Sequence, residues 1–178
     1  MKKVLVIGAG GAGKSTLARR LGAALKLEVI HLDKYYWRPG WVETAKDEWE
    51  RTVAALCARD AWVMDGNYLS TLAQRLQACD TVIFLDFART LCLWRVVKRR
   101  ILYRADTRPD MAAGCTEQLD LEFLRWIWTY ARRTRPEVVA RLAEHAQGKQ
   151  IIYLRKPAEV EQFLAACTAA KDNGGVRR

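Results

Sequence analysis

The stretch "GAGGAGKST", residues 8–16, follows the apolar run "VLVI" and opens onto a helical pattern that starts at Lys14. Four glycines within residues 8–13 strip side chains from a turn, so that successive backbone N–H groups can point inward and form a nest for an anion. The helix after the turn aims its positive dipole end at the same point. Gly8, Gly13, Lys14 and Ser15 satisfy G-x-x-x-x-G-K-[ST], with the strand before it and the helix after it that this motif requires. The expected cradle is Gly8, Gly10, Gly11, Ala12, Gly13, Lys14, Ser15 and Thr16, with Lys14 on the β- and γ-phosphates of ATP and the Ser15 hydroxyl on Mg²⁺. Gly8, Gly10 and Gly13 also fit the dinucleotide spacing G-x-G-x-x-G, but the Lys-Ser ending favours a triphosphate.

The rest of the chain alternates short aliphatic runs with longer amphipathic ones. Strands are predicted at 3–7, 28–31, 61–64, 81–85 and 150–154. Helices are predicted at 14–25, 44–59, 69–77, 90–104, 119–134 and 136–145, with a last one from Pro157. Strands spaced by helices give an α/β fold with a parallel sheet covered on both faces, whose ligands gather beyond the carboxyl ends of the strands. One domain over 1–170 is expected, with an insertion at 34–60 that begins in "KYYWRPGW", a lid at 101–121 around "ADTRPDMAAGC", and a tail at 171–178.

Two aspartates stand where that rule points: Asp33 after the second strand and Asp65 after the third. Such carboxylates orient an acceptor hydroxyl or hold a metal-bound water. Asp86, after the fourth strand, is read as an N-cap for the helix near Thr90. From Arg89 to Arg108 there are seven basic residues against one acidic, and the four-residue spacing of Arg95 and Arg99 puts both on one helix face. Arg108 falls in the lid; Arg125 and Arg132 follow on the next helix and are candidates for clamping a transferring phosphoryl group. A solvated basic face or a nucleic-acid patch are the other readings of this stripe. Of the seven tryptophans, Trp126 and Trp128 cannot both face one way on a helix, and Trp37 and Trp41 flank "RPG" near Asp33, where they can wall an acceptor.

Composition narrows the rest. A formal charge of +10 calls for an anionic partner, nucleic acid or phosphate-bearing small molecules. Five scattered cysteines without a C-x-x-C pair, and only two histidines, argue against zinc and against a disulfide framework. Apolar runs fall far short of the roughly 20 residues of a membrane span, and the four apolar residues before the first glycine are too few for a signal peptide. A cytoplasmic protein is expected.

Taken together, "HLDKYYWRPGW", "DGNY", "LDFARTLCLWRVVKRR", "TRPDM" and "DLEFLRWIW" resemble the adenylate-kinase-like small P-loop kinases, and more closely the bacterial topology-modulation-type P-loop NTPases, over about residues 2–165. The resemblance implies a P-loop NTPase three-layer sandwich with a five-stranded parallel sheet, the glycine loop near its centre, a small acceptor-binding insertion and an arginine-rich lid. "DGNY" is similar to the D-G-x-x-R stretch of nucleoside monophosphate kinases, which makes Asp65 a Mg²⁺-associated aspartate alongside Ser15. "RVVKRR" is similar to the R-I-V-x-R-R stretch that opens their lid, which makes Arg95 an adenine-side and Arg99 a phosphate arginine. Tyr68 stands where those kinases carry an arginine for the acceptor's phosphate, and Arg38 is the replacement candidate. "TRPD" is similar to the lid arginine-proline of shikimate-type kinases, whose acceptors are hydroxyls. The implied activity is phosphoryl transfer from Mg-ATP to a nucleotide or small metabolite by a monomer. Lys14, Asp33, Asp65, Arg99, Arg108, Arg125 and Arg132 are its catalytic candidates, and Asp33, Arg38, Asp65 and Tyr68 its acceptor-side candidates. A regulator that binds ATP and contacts nucleic acid through the basic stripe is the alternative.

Overall fold

Val4, Leu5, Val6 and Ile7 are wholly shielded from solvent, which a strand achieves only when both its faces are covered and both its edges are paired. Their burial contributes about 6–12 kcal/mol of hydrophobic stabilisation. The computed structural model describes residues 1–102, 111–112, 114–115 and 121–174. In chain order these form β1 (Lys3–Gly8), α1 (Lys14–Leu25), β2 (Val29–His31), α2 (Asp33–Tyr36), β3 (Trp37–Arg38), β4 (Val42–Glu43), α3 (Lys46–Ala58) and β5 (Trp62–Asp65). They continue as α4 (Leu72–Ala78), β6 (Thr81–Leu85), α5 (Arg89–Leu102), α6 (Leu121–Arg133), α7 (Arg135–Glu144), β7 (Gln150–Leu154) and α8 (Pro157–Gly174).

The main sheet has the order β2-β5-β1-β6-β7, parallel throughout. Glycine-loop strand β1 is therefore central, as expected, and the carboxyl ends of its neighbours β5 and β6 lie beside it. The register sets Asp65 beside both Val6 and His31. Helices α1 and α8 pack on each other, while α3, α4, α7, α6 and α5 form a second contiguous set. No helix among the described residues is long and apolar enough to cross a membrane.

The five strands arise where the aliphatic runs predict them, and the differences lie in the connections. The helix expected from residue 44 begins at Lys46, because Thr44 is spent on closing the insertion: its N–H and its hydroxyl both donate to the Tyr36 carbonyl, at 2.9 and 2.7 Å. The antiparallel β3–β4 hairpin around Pro39 and Gly40 was not anticipated. Helix α3, within the segment 34–60 expected as an insertion, buries Trp49, Val53, Leu56 and Cys57 in the core. Asp86 is not a cap for α5: both its oxygens accept from Arg135 at 2.8 Å, which ties the start of α7 to the end of β6. Residues 103–110, 113 and 116–120 of the expected lid, with Arg108 among them, and residues 175–178 of the expected tail lie outside the described residues.

Candidate active site

The glycine loop is shaped from below as well as for a ligand. A Cβ on Gly10 would lie 2.6 Å from the Phe123 ring of α6. At Gly11, with φ +77°, it would lie 2.3 Å from the Cys92 carbonyl oxygen of α5. Two helices thus press on the loop at positions where any side chain would hold them off. Arg95 adds a brace, donating to the Ala12 carbonyl at 3.0 Å with its guanidinium 5.2 Å from the centre of the Phe87 ring.

Lys14 opens α1 and donates its ammonium to the Ala9 carbonyl at 3.0 Å. Burial lowers its pKa, and the nearby carboxylates of Asp33 and Asp65 oppose that shift. At the end of β5, Asp65 is buried with an oxygen 2.7 Å from His31 Nδ1, itself buried at the end of β2. Parallel pairing of the two strands is what brings the two side chains together.

Beyond Asp65 the chain turns through Gly66, Asn67 and Tyr68, and this turn is held by Arg75. That guanidinium is fully buried and donates to the carbonyls of Gly66 (3.0 Å), Thr71 (3.3 Å) and Tyr68. Burial lowers the Arg75 pKa to about 10, so it stays charged at neutral pH. The Tyr68 hydroxyl in turn donates to Asp33 Oδ1 at 2.6 Å, and burial together with the Asp33 charge pushes the phenol far upward and keeps it protonated. Around the pair stand aromatics packed edge-to-face or tilted. Tyr36 contacts Trp37, Trp49 and Tyr68 at ring-centre distances of 4.9, 5.0 and 4.5 Å, and Trp37 contacts Trp41 at 5.3 Å.

Lys14, Asp33, Asp65, Tyr68, Trp37 and Trp41 line one cleft of about 1100 Å³. Of the sequence-predicted residues it takes in Gly10, Gly11, Ala12, Gly13, Lys14, Ser15 and Thr16, with Asp33, Asp65, Tyr68, Arg95 and Arg99. Gly8 ends β1 beneath the loop and does not line it. Arg38 points away from the cleft: it is exposed and paired with Glu48. Arg125 and Arg132 are exposed and line no part of the cleft, because Ile127 and Tyr130 occupy the buried face of α6. Trp126 faces the cleft, stacked with Phe123, whereas Trp128 is on the outside under the Arg89 guanidinium, 3.8 Å from its ring centre.

Sequence reasoning missed His31, Glu43 and Arg75. Arg75 left a signal: it falls between Leu72 and Leu76 on the apolar face of α4, where a charge needs a buried role. Among the described residues no group of three or more His, Cys, Asp or Glu side chains is set to hold a metal. Ser15 and Asp65 supply hard oxygen donors on one cleft, which suits Mg²⁺ completed by phosphate oxygens and water.

The five-stranded parallel sheet with the glycine loop on its central strand is an α/β fold of the kind found in solved small P-loop kinases. Solved structures similar to it include an unliganded sugar kinase from Janibacter sp. HTCC2649, with TM-score 0.56 and 16% identity over 97% of this chain and 95% of that one. Shikimate kinase from Acinetobacter baumannii, in complex with shikimate, gives TM-score 0.56 and 19% identity over 99% and 96%. A gluconokinase from Sinorhizobium meliloti 1021 gives 0.54 and 14% over 97% and 94%. No protein-family model matches the chain, and no curated protein does.

Proposed function

We propose that the chain is a phosphotransferase that moves the γ-phosphoryl group of Mg-ATP to a hydroxyl of a small acceptor, as an adenylate-kinase-like monomer related to the topology-modulation-type NTPases. The observation that carries this is a single cleft with Lys14 and Ser15 on one side and the Tyr68-anchored Asp33 on the other. The nest amides and Lys14 bind the triphosphate, and the Ser15 hydroxyl and Asp65 would hold Mg²⁺ beside it. A metal held there would neutralise phosphate charge. Asp33 accepts the acceptor's hydroxyl proton while the acceptor oxygen bonds to the γ-phosphorus, the bond to the β-phosphate oxygen breaks, and ADP leaves. Arg99 lines the cleft and stabilises the charge on the transferring group; Arg108 is proposed for the same task from the lid. The basic stripe supports this reading over nucleic-acid binding, because Arg95 and Arg99 turn into the cleft. The test is calorimetric titration with Mg-ATP. Lys14→Ala is expected to weaken binding at least tenfold, and unchanged affinity overturns the proposal.

A further inference from the structure

Strands β2 and β5 run beside each other as apolar chains until their last residues. Val29 and Ile30 pair with Val63 and Met64, and the next pair, His31 beside Asp65, is polar on both strands. Both side chains are buried, at 7% and 3% exposure, with His31 Nδ1 2.7 Å from Asp65 Oδ1. A carboxylate oxygen accepts, so the imidazole N–H at Nδ1 is the donor. Among the described residues, no other group hydrogen-bonds the Asp65 carboxylate.

The strands are joined without this bond. Val63 N–H donates to the Glu28 carbonyl at 2.8 Å and Leu32 N–H to the Asp65 carbonyl at 3.0 Å. Apolar side chains of similar volume would join two buried strands at least as well, whereas none would fix a carboxylate. The backbone beyond Asp65 is held too: Gly66 N–H donates to the Val6 carbonyl at 3.4 Å, and the Gly66 carbonyl accepts from Arg75. With the backbone fixed, the soft coordinate left to an aspartate is the rotation of its carboxylate, a broad two-fold torsion. The His31 bond removes that freedom.

Asp65 lines the cleft together with Lys14 and Ser15, and His31 does not. We infer that His31 is a positioning residue: by holding Oδ1 it turns the second carboxylate oxygen of Asp65 to the cleft, where with the Ser15 hydroxyl it would hold the Mg²⁺ of the nucleotide. The inference rests on the Mg-ATP reading of this cleft and names the group that sets the geometry of its metal side. Partners that orient such a carboxylate typically govern about 10–100-fold in metal affinity.

The test is calorimetric titration of the full chain with a non-hydrolysable ATP analogue, once in excess Mg²⁺ and once in EDTA; the ratio of the two affinities is the reinforcement by the metal. An asparagine amide nitrogen can take the place of Nδ1 and a glutamine one that of Nε2, so only the former reaches Asp65. His31→Gln is expected to lower the ratio at least about tenfold and His31→Asn to stay within about threefold of the parent. Both variants are expected to bind the analogue in EDTA as the parent does, through the nest amides and Lys14. A ratio untouched by His31→Gln, an equal loss in the two variants, or a matching loss in EDTA each overturns the inference. A second measurement needs no change at the site: nitrogen NMR of the two imidazoles, told apart by His145→Gln, is expected to place a proton on His31 Nδ1, and a bare Nδ1 overturns the inference as well. Asp65→Asn separates the two proposals. If it abolishes the reinforcement and His31→Gln does not, only the role of His31 falls; if the parent binds no nucleotide or gains nothing from Mg²⁺, the Mg-ATP reading falls and the role of His31 with it.

Discussion

Replacing Arg75 with methionine keeps the apolar stem and removes the guanidinium. Three carbonyls lose their donor, those of Gly66, Thr71 and Tyr68, and two of them belong to the turn that carries Tyr68 to Asp33. Hydrogen bonds from a charged donor contribute about 1.5–3 kcal/mol each. The 3.3 Å bond to Thr71 belongs at the low end, and the relief of burying a charge offsets part of the sum. The net loss expected is about 3–4 kcal/mol, which for a chain of this size lowers Tm by about 10 °C. Urea unfolding followed by tryptophan fluorescence measures it. Arg75→Lys is expected to recover only about a third, since an ammonium cannot reach three carbonyls from one planar fork. Acceptor-dependent ADP release should fall in both variants as Tyr68 loses its hold on Asp33. A methionine variant within about 1 kcal/mol of the parent, or a lysine variant equal to it, would refute the view that this guanidinium carries the turn.

Two further outcomes follow from the loop. Because burial favours the neutral form of Lys14, its phosphate-binding charge is complete at low pH and is lost as pH rises through a pKa below the ordinary 10.5. Mg-ATP affinity measured from pH 7 upward should therefore decline with a midpoint below that value, while Lys14→Arg stays flat; a midpoint at or above it contradicts the burial argument. Gly10→Ala meets a movable ring and should cost about 1–2 kcal/mol, restored by Phe123→Leu. Gly11→Ala meets a backbone carbonyl at a left-handed φ and should cost about 3 kcal/mol or more with no rescue from Phe123→Leu, as thermal denaturation of the four variants would show.

What the sequence disclosed is what depends on neighbours in the chain. The aliphatic runs specify the strands, and the strand-end rule finds Asp33 and Asp65 because a parallel sheet presents all its carboxyl ends on one side. His31 escaped notice because its partnership with Asp65 is a matter of strand order, which brings together residues 34 apart. The orientation of Arg38 depends on a hairpin whose pairing is set by Thr44 reaching back to Tyr36, a contact without periodicity. The exposure of Arg125 and Arg132 was readable in principle: they share the i, i+3, i+7 stripe with Trp128, opposite the apolar Phe123, Ile127 and Tyr130. The glycines were read for one purpose, and the structure gives Gly10 and Gly11 a second one in packing.

All five cysteines are free and buried, but they are not buried by the same parts of the molecule. Cys115 donates to the Arg38 carbonyl of the hairpin at 3.3 Å and Cys92 sits under the glycine loop, whereas Cys57, Cys79 and Cys167 belong to the α/β body. Burial also raises the pKa of Cys57, Cys79, Cys92 and Cys167, so each reacts as a thiolate only after the structure around it has opened. Without any added label, the chain therefore carries a set of chemical clocks: the alkylation rate at Cys115 times its parting from the hairpin, that at Cys92 the lifting of α5 from the loop, and those of the other three the loosening of the body.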